Sequence, residues 1–371
     1  MIYLPILSLR MWLMKRIAYY ISDYGYGHAS RSIAIIRELL QKNDINITVC
    51  HSFAQEFIKR SLHNTNSVGY RKINTDIGYF LKKDSIYPDK IRLSLEYKNF
   101  MSNWDELIRQ EQAFLVRESI DLVISDISPI AFEPAYQLGI PSIGISNFTW
   151  YTAYQGLLST KELTPLYQAY RNMTYFYTLA GCKEPDWTAN RKDFGFFART
   201  VDAEEVKRIS EEINPNGKRV IFVGFGMKLN TNFLENLPLW NSPDCVFIVS
   251  SNVKVKHREN IFKIPFDYLE TQNYIAASDL VITKAGWGTV SEAVTSQIPL
   301  LIIERDTMAE DRNTVNYLKN QHLCHTIQWS DFNQLVMNDK EMESYIKLSK
   351  LYKNESMEIA RNILSFINCD S

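Results

Sequence analysis

Short apolar runs alternate with segments of helical period along most of this chain, and several of the runs end in a glycine-bearing loop. Parallel strands need helical crossovers and bury both faces, so this alternation predicts α/β architecture with parallel sheets covered on each side. The first unit shows the pattern: Ile17–Ser22 reads as a buried strand, Gly25–Ser30 as a turn, and Ser32–Leu40 as a helix. In that helix Ile33, Ile36 and Leu40 recur at helical spacing, and Ile35 and Leu39 widen the stripe. Further strands are expected at Ile45–Cys50, Asp121–Ser125, Pro141–Ser146, Arg219–Val223, Cys245–Ser250, Leu280–Thr283 and Leu300–Ile303. Ser102 with Asp105 resembles a capping box opening a helix to Glu118, and a helix from about Pro129 to Leu138 should stop at Gly139. The tail Glu341–Ile367 reads as helix, with Ile359, Ile363, Phe366 and Ile367 on one face.

A length of 371 residues suits two domains. The polar stretch 186–217 closes on Asn214-Pro215-Asn216-Gly217, a turn signal before the apolar run that follows, and it holds the expected junction. Two doubly wound domains are predicted, 14–195 and 196–355, with a last helix, 356–371, returning to the first. Residues 1–13 are apolar but broken by Pro5 and Arg10, and a strand opens just after Met14. They are read as an extension, the alternative being a membrane-surface anchor. Lys and Arg total 41 against 42 Asp and Glu, which leaves no general field for nucleic acid. Five cysteines without a C-x-x-C pair fit neither a disulfide framework nor a zinc site, so a cytoplasmic setting is expected.

In open parallel sheets, ligands sit beyond the carboxyl ends of the strands. Gly25-Tyr26-Gly27-His28-Ala29-Ser30-Arg31 lies there, after the first strand. Its glycines permit a tight turn, and the helix start offers free N–H groups to an anion or polar ligand. Ser30 stands where a dinucleotide fingerprint needs its third glycine, and no P-loop occurs. His28 either faces the ligand or merely caps the helix. Asp126 follows another strand on the same edge and could orient His28 as a dyad, or cap a helix near Ser128 and Pro129. In the second half Gly224 and Gly226 follow a strand, where a side chain would obstruct a ligand. Lys284-Ala285-Gly286-Trp287-Gly288-Thr289-Val290-Ser291-Glu292 follows another. A helix starting at Thr289 could hold a diphosphate, with Glu292 one turn in, serving either the helix dipole or a ribose. Glu304, Arg305, Asp306, Glu310 and Asp311 form a polar loop that on its own reads as a solvated face.

Three blocks, Gly25–Arg31, Ser125–Trp150 and Ala276–Asp311, in this order, resemble glycosyltransferases of the two-Rossmann-domain architecture called GT-B. The likeness is to the family 28 and family 1 type, nearest to the glycosyltransferase-like amino-terminal half of plant L-arabinokinases and its bacterial relatives. It implies two Rossmann-like domains facing a cleft. His28 matches the histidine that acts as general base, and Asp126 its carboxylate partner; Gly25, Gly27 and Arg31 fall on the acceptor-side loop. Glu292 matches the ribose-binding glutamate, and Gly286, Gly288, Thr289 and Val290 the diphosphate-holding loop and helix start. Gly224 and Gly226 correspond to the glycine turn facing it, Lys284 to a phosphate contact, and Glu310 and Asp311 to donor-sugar contacts. The sugar-kinase half of the plant proteins has no counterpart here, so kinase activity is not implied.

The resemblance implies a metal-independent, inverting transfer of a sugar from a nucleotide sugar, with a uridine diphosphate sugar expected, to an acceptor hydroxyl. No cofactor is expected. A nucleotide-sugar hydrolase and a non-catalytic nucleotide-sugar-binding protein are the alternatives. The acceptor, a glycan or lipid-linked molecule with peripheral membrane contact in the second case, would meet the variable region Asn74–Phe100 and the aromatic stretch Asn147–Tyr154. Singly, Trp150, Tyr151 and Tyr154 read as core.

Overall fold

A computed structural model describes residues 14–369 apart from 43, 64, 83–86, 227–233, 305–307 and 347–350. The expected extension 1–13, and Arg305 and Asp306, lie outside the described residues. The chain forms two sheets in which every strand pair is parallel. The first contains β1 (Lys15–Ile21), β2 (Ile45–Cys50), β3 (Val68–Arg71), β4 (Leu122–Asp126), β5 (Ser142–Ser146), β6 (Tyr175–Thr178) and β7 (Arg191–Asp193). Its order is β3-β2-β1-β4-β5-β6-β7. The second contains β8 (Arg219–Gly224), β9 (Cys245–Val249), β10 (Ile261–Lys263), β11 (Leu280–Lys284), β12 (Leu300–Ile303) and β13 (His325–Ile327). Its order, β10-β9-β8-β11-β12-β13, repeats the same winding. The order reverses between β1 and β4 and between β8 and β11, and a crevice opens at such switch points. Ile21 pairs with Asp126 and Gly224 with Thr283, so the four loops expected to carry chemistry leave their sheets at matched heights.

Several local expectations change. Ser102 is the last residue of a helix, Lys90–Ser102, and its hydroxyl donates to the Asn99 carbonyl at 2.8 Å. The next helix, Trp104–Arg117, starts after Asn103 without a side-chain cap, so the capping box does not form. The Lys90–Ser102 helix also occupies part of the stretch expected as variable loop. The tail is not one helix: Asp339–Ile346 and Ser356–Cys369 are separate, and 351–355 are not helical.

The C-terminal helix, Ser356–Cys369, lies against the first helix, Tyr26–Leu39. Its Ile359 and Ile363 are fully buried, and Phe366 meets the Tyr175 ring edge-on at 4.6 Å. Ile359 and Ile363 belong to one apolar cluster, with Tyr175 and Phe366 packed against it, that includes Ile33 and Ile36, passes through Phe196, Phe197 and Trp287, and reaches Val290 beside the second sheet. Both domains therefore share a continuous core. Among the described residues no helix is long and apolar enough to cross a membrane. Ile363→Ala should lower unfolding stability by about 2–5 kcal/mol, the cost of truncating a fully buried aliphatic side chain. Urea denaturation measures it, and a loss below about 0.5 kcal/mol, the ordinary surface range, would mean that the C-terminal helix contributes nothing to the shared core.

Candidate active site

The first helix begins at Tyr26, with Gly25 as N-cap at φ +89°, a left-handed backbone that favours glycine. Gly27, His28 and Arg31 are therefore helical residues of the opening turns rather than loop residues. His28 Nδ1 lies 3.0 Å from Asp126 Oδ1. Arg31 donates from Nε to Asp126 Oδ2 at 2.7 Å and from Nη2 to Oδ1, and Nη1 reaches Asn147 Oδ1 at 2.8 Å. All three side chains are buried, and Ser32 adds a hydroxyl donor to Asp126 at 3.2 Å. Asp126 thus caps no helix; Ser128 precedes the short 3₁₀ turn Pro129–Ala131, without a side-chain cap. Ile127, directly after Asp126, has φ +63°, a costly conformation for a β-branched residue. The Tyr170 hydroxyl holds it by donating to the Ile127 carbonyl at 2.6 Å.

Burial alone would raise the Asp126 pKa, but the charges and hydrogen bonds of Arg31 and His28 hold its carboxyl well below the usual carboxylate range. For His28 burial is the largest influence and lowers the pKa; Asp126 opposes it, and the Arg31 charge lowers it again, with the net direction downward from 6.5. Nδ1 faces both the Asp126 carboxylate and, at 3.1 Å, Arg31 Nη2; in the tautomer that donates to the carboxylate, the proton sits on Nδ1. Nε2 is then left to accept a proton.

In the second domain the helix Trp287–Thr295 starts two residues earlier than expected, with Gly286 as N-cap. Val290 donates its N–H to the Gly286 carbonyl at 3.1 Å, and Gly286 donates to the Lys284 carbonyl at 2.7 Å, so neither amide is open to a ligand. The open donors are those of Trp287, Gly288 and Thr289. Glu292 consequently sits in the second turn, not the first, and it accepts a hydrogen bond from Arg199 Nη2 at 2.9 Å. Gly224 is also reinterpreted: a Cβ there would meet the Phe222 ring at 2.5 Å, so this glycine makes room for Phe222.

A cleft of about 470 Å³ runs between the domains. Gly25, Gly27, His28 and Arg31 line it from one side, and Gly224, Gly226, Lys284, Gly286, Gly288, Thr289, Glu292, Glu310 and Asp311 from the other. Asp126 stands behind His28 and Arg31, and Val290 is buried in the core; neither lines the cleft. The two helix starts nearly touch, because a Cβ on Gly288 would lie 3.2 Å from Gly27 Cα. Arg31 sits 5.1 Å from the Trp287 ring centroid, and Trp287 Nε1 donates to the Ala180 carbonyl at 3.0 Å. Glu310 accepts from the Tyr79 hydroxyl of the first domain at 2.9 Å. Trp150 and Tyr154 are buried and stacked on each other, while their neighbour Phe148 reaches the cleft. Among the described residues no group of three or more His, Cys, Asp or Glu could hold a metal ion. Arg199 and Tyr79 carry no signal in the sequence, since their partners lie 93 and 231 residues away.

Residues 240–364 match the family described as glycosyltransferase family 28 C-terminal domain. In fold the chain is similar to the GT-B glycosyltransferases. It is 25% identical over 316 residues to an L-arabinokinase of Arabidopsis thaliana, covering 81% of this chain and 29% of that one. It is 24% identical over 199 residues to a UDP-N-acetylglucosamine--N-acetylmuramyl-(pentapeptide) pyrophosphoryl-undecaprenol N-acetylglucosamine transferase of Bacteroides fragilis, covering 50% of this chain and 51% of that one. These matches span about three tenths and one half of those relatives. The solved structure of Phytolacca americana UGT2 complexed with UDP-2fluoro-glucose and pterostilbene shares the fold, with a TM-score of 0.64 at 13% identity, covering 95% of this chain and all of that one.

Because the folded Asp126 pKa lies below the ordinary 3.8, the stabilisation it supplies is present above pH 3.8 and lost as pH falls below it. Asp126→Asn should cost about 3–5 kcal/mol at neutral pH, by leaving the Arg31 guanidinium buried without its counter-charge. It should also flatten the acid side of the stability curve. Urea unfolding at neutral and acidic pH tests both, and an unchanged curve would show that the pair is not coupled to folding.

Proposed function

We propose that this protein is a glycosyltransferase that moves a sugar from a nucleotide sugar to an acceptor hydroxyl. The observation that carries the reading is the convergence on one cleft of His28, backed by Asp126, with the open N–H groups of Trp287, Gly288 and Thr289. A helix start and Lys284 can receive a diphosphate, and Glu292 can hold the ribose hydroxyls. A uridine diphosphate sugar is the donor favoured, since the Bacteroides relative's name and the Phytolacca structure both carry one. The acceptor is a glycan or lipid-linked hydroxyl compound, bound on the first-domain side near Asn147 and Phe148.

In the proposed reaction, His28 Nε2 takes the proton of the acceptor hydroxyl as its oxygen attacks the anomeric carbon. The bond from that carbon to the diphosphate oxygen breaks, and its electron pair leaves with the nucleoside diphosphate. The helix start and Lys284 stabilise the charge that appears there, so the reading is metal-independent. Attack opposite the leaving group inverts the anomeric centre. Asp126 holds the tautomer and steadies the imidazolium that forms.

A screen of nucleotide diphosphates and UDP-sugars by thermal shift identifies the donor, because a ligand of the folded state raises its melting temperature. Product analysis with donor alone then separates transfer from hydrolysis, with rapid stoichiometric sugar release overturning the transferase reading. His28→Ala should reduce turnover by about 10²- to 10⁴-fold while leaving donor binding nearly intact; unchanged turnover would remove His28 as the base. Since the His28 pKa lies below 6.5, the acid limb of the rate profile should also fall below that pH. Chelation by EDTA should leave turnover unchanged, and a loss restored by divalent metal would contradict the metal-independent route.

A further inference from the structure

Four charged side chains of alternating sign connect the two domains beside the cleft. Arg37, on the first helix, donates from Nη2 and Nη1 to the two oxygens of Glu270 at 2.7 and 3.0 Å. Glu270 belongs to the second domain, in the Leu269–Thr271 stretch whose ends line the cleft. The fully buried side chain of Arg199, in the segment joining the domains, grips the same stretch. Its Nη1 donates to the Leu269 carbonyl at 2.7 Å and its Nη2 to Thr271 Oγ1 at 3.1 Å, with Nη1 3.9 Å from Glu270. Its Nη2 also donates to Glu292, and its guanidinium carbon lies 5.8 Å from the Phe57 ring centroid of the first domain. Burial would raise the Glu270 pKa, but Arg37 and Arg199 hold it at about 2, so Glu270 is ionised at neutral pH.

We infer that Arg199 is a positioning residue for Glu292, and that the Arg37–Glu270 pair makes this positioning depend on closure of the two domains. The inference rests on the nucleotide-binding reading above. Separating the domains breaks the Arg37–Glu270 pair, the ion pair of this row that crosses between them. Glu270 then has only Arg199 as a charged partner, and the guanidinium that fixes Glu292 is drawn toward it. Donor seating and domain closure thereby favour each other, as any coupling between two equilibria must be reciprocal.

Calorimetric titration with UDP on the full chain tests this, using the unchanged protein, R37Q, E292Q and the double variant. Arg37 is partly exposed and does not line the cleft, and both substitutions keep a polar side chain in place. R37Q should weaken UDP binding about 5-fold or more, a typical coupling, and should add little further weakening in the E292Q background. R37K, which keeps a charge, should recover part of the loss. If E292Q weakens binding but R37Q does not, or the two losses simply multiply, the coupling is overturned while the ribose assignment stands. If E292Q binds UDP as the unchanged protein does, or no UDP binds at all, the ribose or nucleotide reading fails and takes the coupling with it.

Discussion

Two backbones meet at Gly27 and Gly288, and the rest of the site depends on that contact. Each glycine lies in the first turn of a helix that follows a central strand, so the approach sets two helix starts side by side. A side chain at Gly288 would press on the facing Gly27 backbone, which would have to give by a few tenths of an ångström. Trp287 secures the approach. Its ring lies 5.5 and 5.3 Å from those of Phe196 and Phe197, while its N–H is satisfied by the Ala180 carbonyl. Apolar burial supplies the attraction, and the hydrogen bond fixes the angle at which the tryptophan enters.

Around that contact the electrostatics are arranged for a neutral imidazole. Asp126 serves two partners, and Arg31 holds the carboxylate from both oxygens. For His28, burial and the Arg31 charge favour the neutral form while Asp126 opposes them, and the balance lies on the neutral side. The strained backbone at Ile127 fits this picture, because it sits where the chain leaves β4 and the carboxylate must turn back toward the first helix. Rigid support from Tyr170 keeps the unfavourable conformation in place.

The central strands were legible because each is a continuous apolar run, and β1, β2, β4, β5, β8, β9, β11 and β12 coincide with expected runs to within a residue or two. The edges were not: β3, β7, β10 and β13 are three or four residues long and mostly exposed or half-buried, so no apolar run marks them. β6 was hidden differently. Tyr175, Phe176 and Tyr177 are aromatic enough for a strand, yet they follow Tyr167 and Tyr170 of a helix and merge with them into one aromatic crowd. At the site, the loops and the pairing of His28 with Asp126 could be read from spacing along parallel strands. The start of the Trp287 helix could not, because Gly286 and Gly288 mask which of them ends the loop. Arg31 was read as a loop residue because nothing local reveals that it shares the Asp126 carboxylate, and Arg199 went unnoticed because only tertiary structure brings it to Glu292.

The C-terminal helix has a mechanical consequence. After the second sheet the chain returns to lay Ile359 and Ile363 on the first helix, so two separate stretches of polypeptide join the halves, one on the way out and one on the way back. A single tether would permit one half to swivel against the other like a ball joint. A pair of tethers acts more like a door hinge: rocking about the line between them costs less than twisting, which strains both crossings at once.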